Sequence, residues 1–254
     1  MKTWFVHEGS IVRKIWGTAD TCLFIFAGAA AEFAVNKAVD WLYFTGRLPA
    51  DPLGRLFSTV AYARQIIFSE EAEAFHAIDQ ITAIHRNVEK KRDAKIPDYA
   101  YCDVLFLLIA YSITSFELLD RKLTEEEKTE IFNVFYRVGT RMQLKGLPLG
   151  YAEWKVMRVD QLDQNLIHSG FTDDLYRQYK KHLGIIRYVI LKQLQVELVP
   201  ADVKKLLPIG KTAWIVPFLW LYKMLRRMKS EAPLRDILLP TAYKIQVQQM
   251  DVVN

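Results

Sequence analysis

The stretch that decides the fold, residues 104–116, reads VLFLLIAYSITSF and is closed by Asp103 on one side and Glu117 on the other. With 13 residues it is shorter than the roughly 20 apolar residues that a helix needs to cross a bilayer. A second apolar stretch, residues 23–35, is interrupted by Glu32. Both stretches therefore predict helices that are buried in a protein core.

The composition of the whole chain agrees with a helical globular protein. Its 254 residues are 51% hydrophobic and 25% charged, which excludes disordered, collagen-like and low-complexity chains. Gly 11 and Pro 9 are few for a protein of many short strands, and two cysteines exclude a disulfide framework. Since apolar residues recur at helical spacing, we predict one all-α domain of about ten helices over residues 1–254. The predicted helices span residues 19–38, 53–68, 70–92, 99–120, 124–143, 151–164, 172–197, 201–207, 211–229 and 232–248.

Capping signatures mark three of the predicted helix starts. Asp51 stands directly before Pro52, a proline suited to a first helical turn. Thr124 and Glu127 have the reciprocal spacing of a capping box. Ser69 precedes several glutamates and predicts the third start.

Charge and targeting signals restrict the partners and the location. The net charge of +5 and the pI near 9.0 are mild for a chain of this length. The basic run at residues 90–95 lacks the interleaved aromatic residues of a single-strand nucleic-acid platform, so we expect no nucleic-acid partner. Glu8 and Asp20 fit a secretory signal poorly. We therefore expect a cytoplasmic protein.

Residues 214–229 leave two interpretations open. An apolar segment with two tryptophans leads into four cations, Lys223, Arg226, Arg227 and Lys229. Such a segment either lies in a membrane interface, giving peripheral membrane association, or forms a core helix whose end is charged. The pattern favours the core helix.

Histidines on the helix predicted over residues 70–92 lie on different faces. At about 100° per residue, His85 falls between Ile78 and Ile81, in the middle of the apolar stripe, whereas His76 lies on the polar face. A histidine in an apolar stripe has to satisfy two ring nitrogens away from water. His85 is therefore either a hydrogen-bonded core residue or a ligand, and the spacing leaves both open.

The preceding helix presents Arg55, Thr59, Tyr62 and Ile66 within about 60° of one another. Because arginine cannot lose its charge, a buried Arg55 requires an anionic or strongly polar partner. An exposed arginine in the first turn of a helix explains the pattern equally well.

Several short motifs follow one another in a fixed order. Asp51-Pro52 precedes Arg55 and Thr59, an apolar helix follows, and His85 stands about one helix further on in the context Ile-His-x-x-Val. Together they resemble the haem-dependent oxygenase family that includes the fungal oxygenase MpaB and the latex-clearing (rubber) oxygenases. Later segments also fit that family: residues 99–119, 123–127, 146–148 and 151–153. The resemblance is best over residues 20–165.

The resemblance implies a haem b, with its iron, in a globin-like helical core. It assigns His85 as the proximal iron ligand and places Arg55 and Thr59 on the distal side as catalytic residues, with Tyr62 and Ile81 beside the cofactor. General chemistry agrees, because a neutral imidazole can ligate iron while its other nitrogen donates to a carbonyl or carboxylate. A cationic Arg55 in a dry pocket would stabilise negative charge that develops on the oxidant, and Thr59 could donate a hydrogen bond there.

The haem propionates need cationic partners. The sequence offers Arg64, Arg86 and Lys90 as candidates and does not choose among them.

Two positions depart from the rubber oxygenases. Ser58 stands where those proteins have a lysine directly before the threonine, and no glutamate occurs near Val39 and Asp40, where they carry a base. The departures give no support for cleavage of polyisoprene.

The sequence thus predicts a haem b-dependent oxygenase, or a peroxidase-like oxidoreductase, that uses dioxygen or peroxide on an apolar organic substrate. The alternative is a non-catalytic haem-binding or haem-sensing helical protein, which the missing lysine and base favour. A third interpretation is a helical interaction scaffold without a cofactor, in which His85 is a core histidine.

Overall fold

The computed structural model describes residues 3–46, 50–210 and 212–228 of the chain. Within these ranges the backbone forms eleven helices and two isolated β-bridges, so the prediction of an all-α protein is confirmed. The helices are α1 (Ile11–Trp16), α2 (Ala19–Ala34), α3 (Val39–Phe44), α4 (Pro52–Phe68), α5 (Glu71–Arg92), α6 (Asp98–Leu119), α7 (Glu125–Arg141), α8 (Tyr151–Gln164), α9 (Gly170–Leu198), α10 (Ala201–Leu206) and α11 (Val216–Arg227).

Long helices lie close to where periodicity predicted them, whereas the short helices α1 and α3 were not predicted. The prediction over residues 19–38 ran too far, because Asn36 ends the helical run. Its side-chain oxygen accepts a hydrogen bond from the backbone N–H of Ala38 at 2.8 Å. The helix α11 starts five residues later than predicted, and the helix predicted over residues 232–248 lies outside the described residues.

Two of the three predicted caps are confirmed. Asp51 Oδ1 accepts from the backbone N–H of Gly54 at 2.9 Å, with a proline in the first turn. Thr124 and Glu127 form both halves of the capping box.

The cap predicted at Ser69 is wrong. The helix α5 has Glu70 as its N-cap residue, and Ser69 is extended. The Ser69 carbonyl accepts from the backbone N–H of Phe5 at 3.2 Å, beside the bridge that joins Trp4 to Glu70. This residue therefore fixes the N-terminal segment to the α4–α5 turn.

Helices α2 and α6 form the centre of the core, as the two apolar stretches predicted. They approach so closely at Gly28 that a Cβ atom there would lie 2.3 Å from Cδ1 of Tyr111. By length and composition alone, α6 could cross a membrane, but 67% of its most apolar window is buried inside the protein. This burial is what a core helix shows.

A buried ionic cluster joins α2, α6 and α8. Glu32 accepts two hydrogen bonds from Arg158 at 2.5 Å each and one from the Tyr111 hydroxyl at 2.8 Å. Gln161 accepts from Arg158 at 2.5 Å and donates to Glu32 at 3.3 Å. All four side chains are buried, so each charge in this low-dielectric interior depends on the other.

Asp103, a second buried acid, is held by amides. The Asn36 side chain donates to it at 2.7 Å and the Asn165 side chain at 3.0 Å. Burial raises the pKa of Asp103 to about 6, although both amide hydrogen bonds oppose the shift.

The free energy of unfolding should depend on pH through the protonation of Asp103. Because its pKa is higher in the folded chain (about 6) than in the unfolded chain (3.8), the native state binds the extra proton, and stability falls as the pH rises through that window. In Asp103→Asn the contribution is absent, so the difference in unfolding free energy between the two proteins should change by about 2 kcal/mol between pH 4 and pH 7. Urea unfolding at several pH values measures it, and parallel curves would contradict it.

Candidate functional site

The helices α4 and α5 are consecutive and pack against each other, which brings the predicted site residues together. Arg55 and Thr59 lie in the first half of α4, and His85 lies in the second half of α5. Tyr62 and Ile81 are partly buried, one turn further along α4 and one turn before His85 on α5, respectively.

His85 is partly buried and has an unsatisfied ring nitrogen. Its Nδ1 is buried and has no hydrogen-bond partner among the described residues. The ring packs edge-on against Tyr101, with centroids 5.2 Å apart and an interplanar angle of 75°. The carbonyl or carboxylate partner predicted for the second ring nitrogen is therefore not present at Nδ1. An unpaired buried nitrogen costs free energy unless something binds there or elsewhere on the ring.

The electrostatic surroundings keep His85 neutral. Burial and, second, the positive charge of Arg55 lower its pKa to about 4, and the Glu89 carboxylate opposes the shift. At neutral pH the imidazole is therefore uncharged, which is the form that ligates a metal. The shift also shows that Arg55 lies near enough to act on His85.

Two hydroxyls of α4 hold Arg55. Its Nη1 donates to Ser58 Oγ and to Thr59 Oγ1, each at 3.3 Å. Both hydroxyls donate in turn to the Arg55 carbonyl, at 2.8 Å and 3.1 Å. The serine that replaces the lysine of the rubber oxygenases thus supports Arg55. The role predicted for Thr59 as a donor to a ligand would require its hydroxyl to leave that carbonyl.

Glu89 and Tyr101 belong to the same site, and the sequence analysis missed both. Glu89 Oε1 accepts from the Tyr101 hydroxyl at 3.3 Å and from the backbone N–H of Ile96 at 2.9 Å. The four-residue spacing from His85 to Glu89 on one helix was a signal that could have been used. Tyr101 comes from the next helix and had no comparable signal.

The structure separates the candidates for binding haem propionates. Arg64 donates to the Trp16 carbonyl and lies 5.0 Å over the Phe68 ring, so it is engaged at the other end of α4. Arg86 and Lys90 are exposed on α5.

Two acids, Asp40 and Glu32, stand nearest in the sequence to the position where the rubber oxygenases carry a base, and both are paired with arginines. Asp40 accepts from Arg92 at 2.6 Å, and the Arg92 guanidinium stacks 4.0 Å over the Trp41 ring. Glu32 is paired with Arg158 in the buried cluster. Each acid is therefore already paired with a cation.

Within the ranges that the structure covers, no group of three or more histidine, cysteine, aspartate or glutamate side chains could hold a metal ion.

The comparisons with known proteins identify the family of the chain. The family model described as ER-bound oxygenase mpaB/B'/Rubber oxygenase, catalytic domain, matches residues 16–228. The chain belongs to this mpaB/rubber oxygenase family. No characterised protein and no solved structure gives a match.

Membership of the mpaB/rubber oxygenase family confirms the resemblance that the motifs indicated and extends it from residue 165 to residue 228. The matched part is the oxygenase catalytic domain of the family, which implies a small-molecule substrate and oxygen. The match covers α2 to α11 and so includes both helices of the candidate site.

Proposed function

We propose that this chain is a haem b-dependent oxygenase in which His85 would ligate the iron. One observation carries the proposal: His85 is a partly buried histidine with an unpaired ring nitrogen, burial and the charge of Arg55 lower its pKa, and the chain belongs to an oxygenase family. The residues present fit the cofactor, since a neutral imidazole ligates iron without first losing a proton.

The bound haem would activate dioxygen or peroxide. The side chains of the protein would position the haem and place a positive charge beside it. His85 would hold the iron, and the edge contact with Tyr101 fixes the orientation of the His85 ring. Arg55 provides a permanent positive charge on the same site, preorganised by Ser58 and Thr59. A fixed cation in a site of low water content stabilises developing negative charge without reorganisation.

An apolar organic substrate suits the walls of the site. Ile78 lies on the same face of α5 as His85 and is buried, and Ile81, also on that face, packs against the core. Oxygenation of an apolar molecule requires such a lining, because it offers the substrate no competing polar contacts.

A haem titration tests the proposal. The full chain should bind one haem, seen as a saturable Soret band and counted as the pyridine haemochromogen. The proposed oxygenase activity also requires that the haem-loaded chain form a product from dioxygen or peroxide and at least one member of a panel of apolar substrates. Failure to saturate at one haem per chain would refute the proposal.

Arg55→Gln should retain haem and lose turnover. Removing the positive charge takes away the stabilisation of negative charge on the oxidant, so we expect kcat to fall by about 10²–10³. In the haem-free variant the pKa of His85 should rise, because Arg55 is one of the two causes that lower it. Single-turnover kinetics and NMR titration of the imidazole measure the two effects.

Arg177→Gln is the matched control, since Arg177 is a highly exposed cation on α9. Equal turnover in the Arg55→Gln and wild-type proteins would remove Arg55 from the mechanism.

The pairing of the acids favours a second function, a haem-binding or haem-sensing protein without turnover. Asp40 and Glu32 are bound to arginines, and the Thr59 hydroxyl is bound to a carbonyl. Haem saturation with reversible binding of a diatomic ligand, and no product from any substrate of the panel, would establish it.

A further inference from the structure

The helix α11 is apolar on both of its faces. Its inner face consists of Ile215, Leu219 and Tyr222, which are buried. Arg226 extends the inner face and donates to Thr21 Oγ1 on α2 at 3.1 Å. The helix is thus docked on the core, as the core interpretation of this segment predicted.

The outer face of α11 is also apolar, and none of the described residues covers it. At about 100° per residue, its side chains occupy the arc opposite Ile215. We call it the outer α11 face, formed by exposed Val216, Phe218, Trp220, Leu221, Met224 and Met228 and by Trp214 just before the helix. Phe218 is 62% exposed and Trp220 is 69% exposed. A contiguous apolar patch of this kind marks a surface that binds a partner.

The sequence around α11 carries charges of one sign. From residue 203 to residue 230 it has no aspartate or glutamate and seven cations, Lys204, Lys205, Lys211, Lys223, Arg226, Arg227 and Lys229. Lys223 stands at the boundary between the inner and outer faces and is partly buried, whereas Arg226 belongs to the inner face and lies 3.6 Å from Asp20 Oδ2. An apolar face with tryptophans and a cation at its edge complements an anionic lipid surface.

We propose that the outer α11 face docks this protein on anionic membranes. Tryptophan suits the interface between headgroups and acyl chains, because its ring is largely apolar and its N–H can remain hydrated. Lys223, at the edge of the outer α11 face, would reach the headgroups with its ammonium group. This proposal is independent of the proposed haem site.

Vesicle binding tests the proposal with the full chain. Wild-type protein should co-sediment with vesicles of phosphatidylcholine containing phosphatidylserine and bind pure phosphatidylcholine vesicles more weakly, with a blue shift of tryptophan fluorescence. Phe218→Ser/Trp220→Ser should lower the partition coefficient at least about tenfold. Lys223→Gln should lower binding to the anionic vesicles about fivefold and leave binding to the neutral ones unchanged.

Val156→Ser/Val159→Ser is the matched control. These two residues of α8 are 64% and 66% exposed, similar to Phe218 and Trp220, and their substitution should leave vesicle binding unchanged. Circular dichroism shows whether the variants fold. If the double variant does not fold, the single variant Trp220→Ser is used in the same vesicle assay.

Three results would overturn the proposal. The first is no binding of wild-type protein to anionic vesicles, and the second is equal loss of binding in the control variant. The third is a wild-type dimer, seen in sedimentation, that does not bind vesicles and that dissociates in Phe218→Ser/Trp220→Ser. This result would assign the outer α11 face to a second copy of the chain.

Discussion

Replacement of His85 by alanine is expected to abolish stoichiometric haem binding. The imidazole is neutral, and its Nδ1 has no hydrogen-bond partner in the described chain, so its removal breaks no hydrogen bond at that atom. We therefore expect a folded protein whose affinity for haem has fallen at least about 100-fold, since the loss of an axial ligand should exceed the loss of an outer-shell partner. The Soret titration and the haemochromogen count measure this loss.

His76→Ala is the control for this variant, because His76 is an exposed histidine on the same helix whose Nε2 lies 3.0 Å from Gln80 Nε2. It should bind haem like the wild-type protein. Added imidazole should restore part of the Soret band in His85→Ala and have no such effect on His76→Ala. One haem per chain with an unchanged spectrum in His85→Ala would show that His85 is a core histidine.

Much of the fold could be predicted because long helices have local signals. The run at residues 104–116 predicted α6, the central helix, and the capping box at Thr124 set the start of α7 to within one residue. Short helices lack such signals. The six residues of α3 begin just after Asn36 and include Asp40. The partners of these two residues come from α6 and α5, and those contacts are not visible in a single sequence.

The candidate site was predictable where its residues share one helix. The face of α4 indicated Arg55 and Thr59 together, and the structure joins them by a hydrogen bond. The contact of His85 with Tyr101 crosses between helices and was not predictable, and Nδ1 lacks the partner that general chemistry led us to expect. The axial role of His85 stays a prediction until haem binding is measured.

The outer α11 face shows a second limit of prediction from sequence, which concerns the two sides of one helix. The sequence analysis treated a core helix and a membrane interface as alternatives, and favoured the core. In the structure the core interpretation holds for one face, and the helix has more apolar residues than that face can bury: Leu219 is buried, and Trp220 next to it is exposed. Periodicity alone did not show which apolar side chains of this helix would face the core.

Arg158→Met is expected to be among the most destabilising substitutions in the protein. It leaves the Glu32 carboxylate buried between α2, α6 and α8 with only Tyr111 and Gln161 as donors. Breaking a buried pair by removing one partner costs about 3–5 kcal/mol, a large part of the stability of a domain. Urea unfolding at neutral pH measures the loss.

Arg141→Met is the matched control, because Arg141 makes the same two-pronged contact with Asp79, at 2.9 Å and 2.5 Å, on the surface. Both members of that pair are about half exposed, so its loss should cost much less than the loss of the buried Arg158 pair. Equal losses in the two variants would show that burial does not govern the Arg158 pair.

A double-mutant cycle separates the charge from the packing. Glu32→Gln/Arg158→Met keeps an acceptor oxygen for Tyr111 and buries no charge, so it should be more stable than Arg158→Met alone by roughly 2 kcal/mol. A double variant as unstable as Arg158→Met would mean that Arg158 acts by filling space. The expected result would instead show that the cluster contributes to the fold through charge compensation across three helices. Since none of these residues lies on α4 or α5, that support would hold the chain folded whether or not a cofactor is bound.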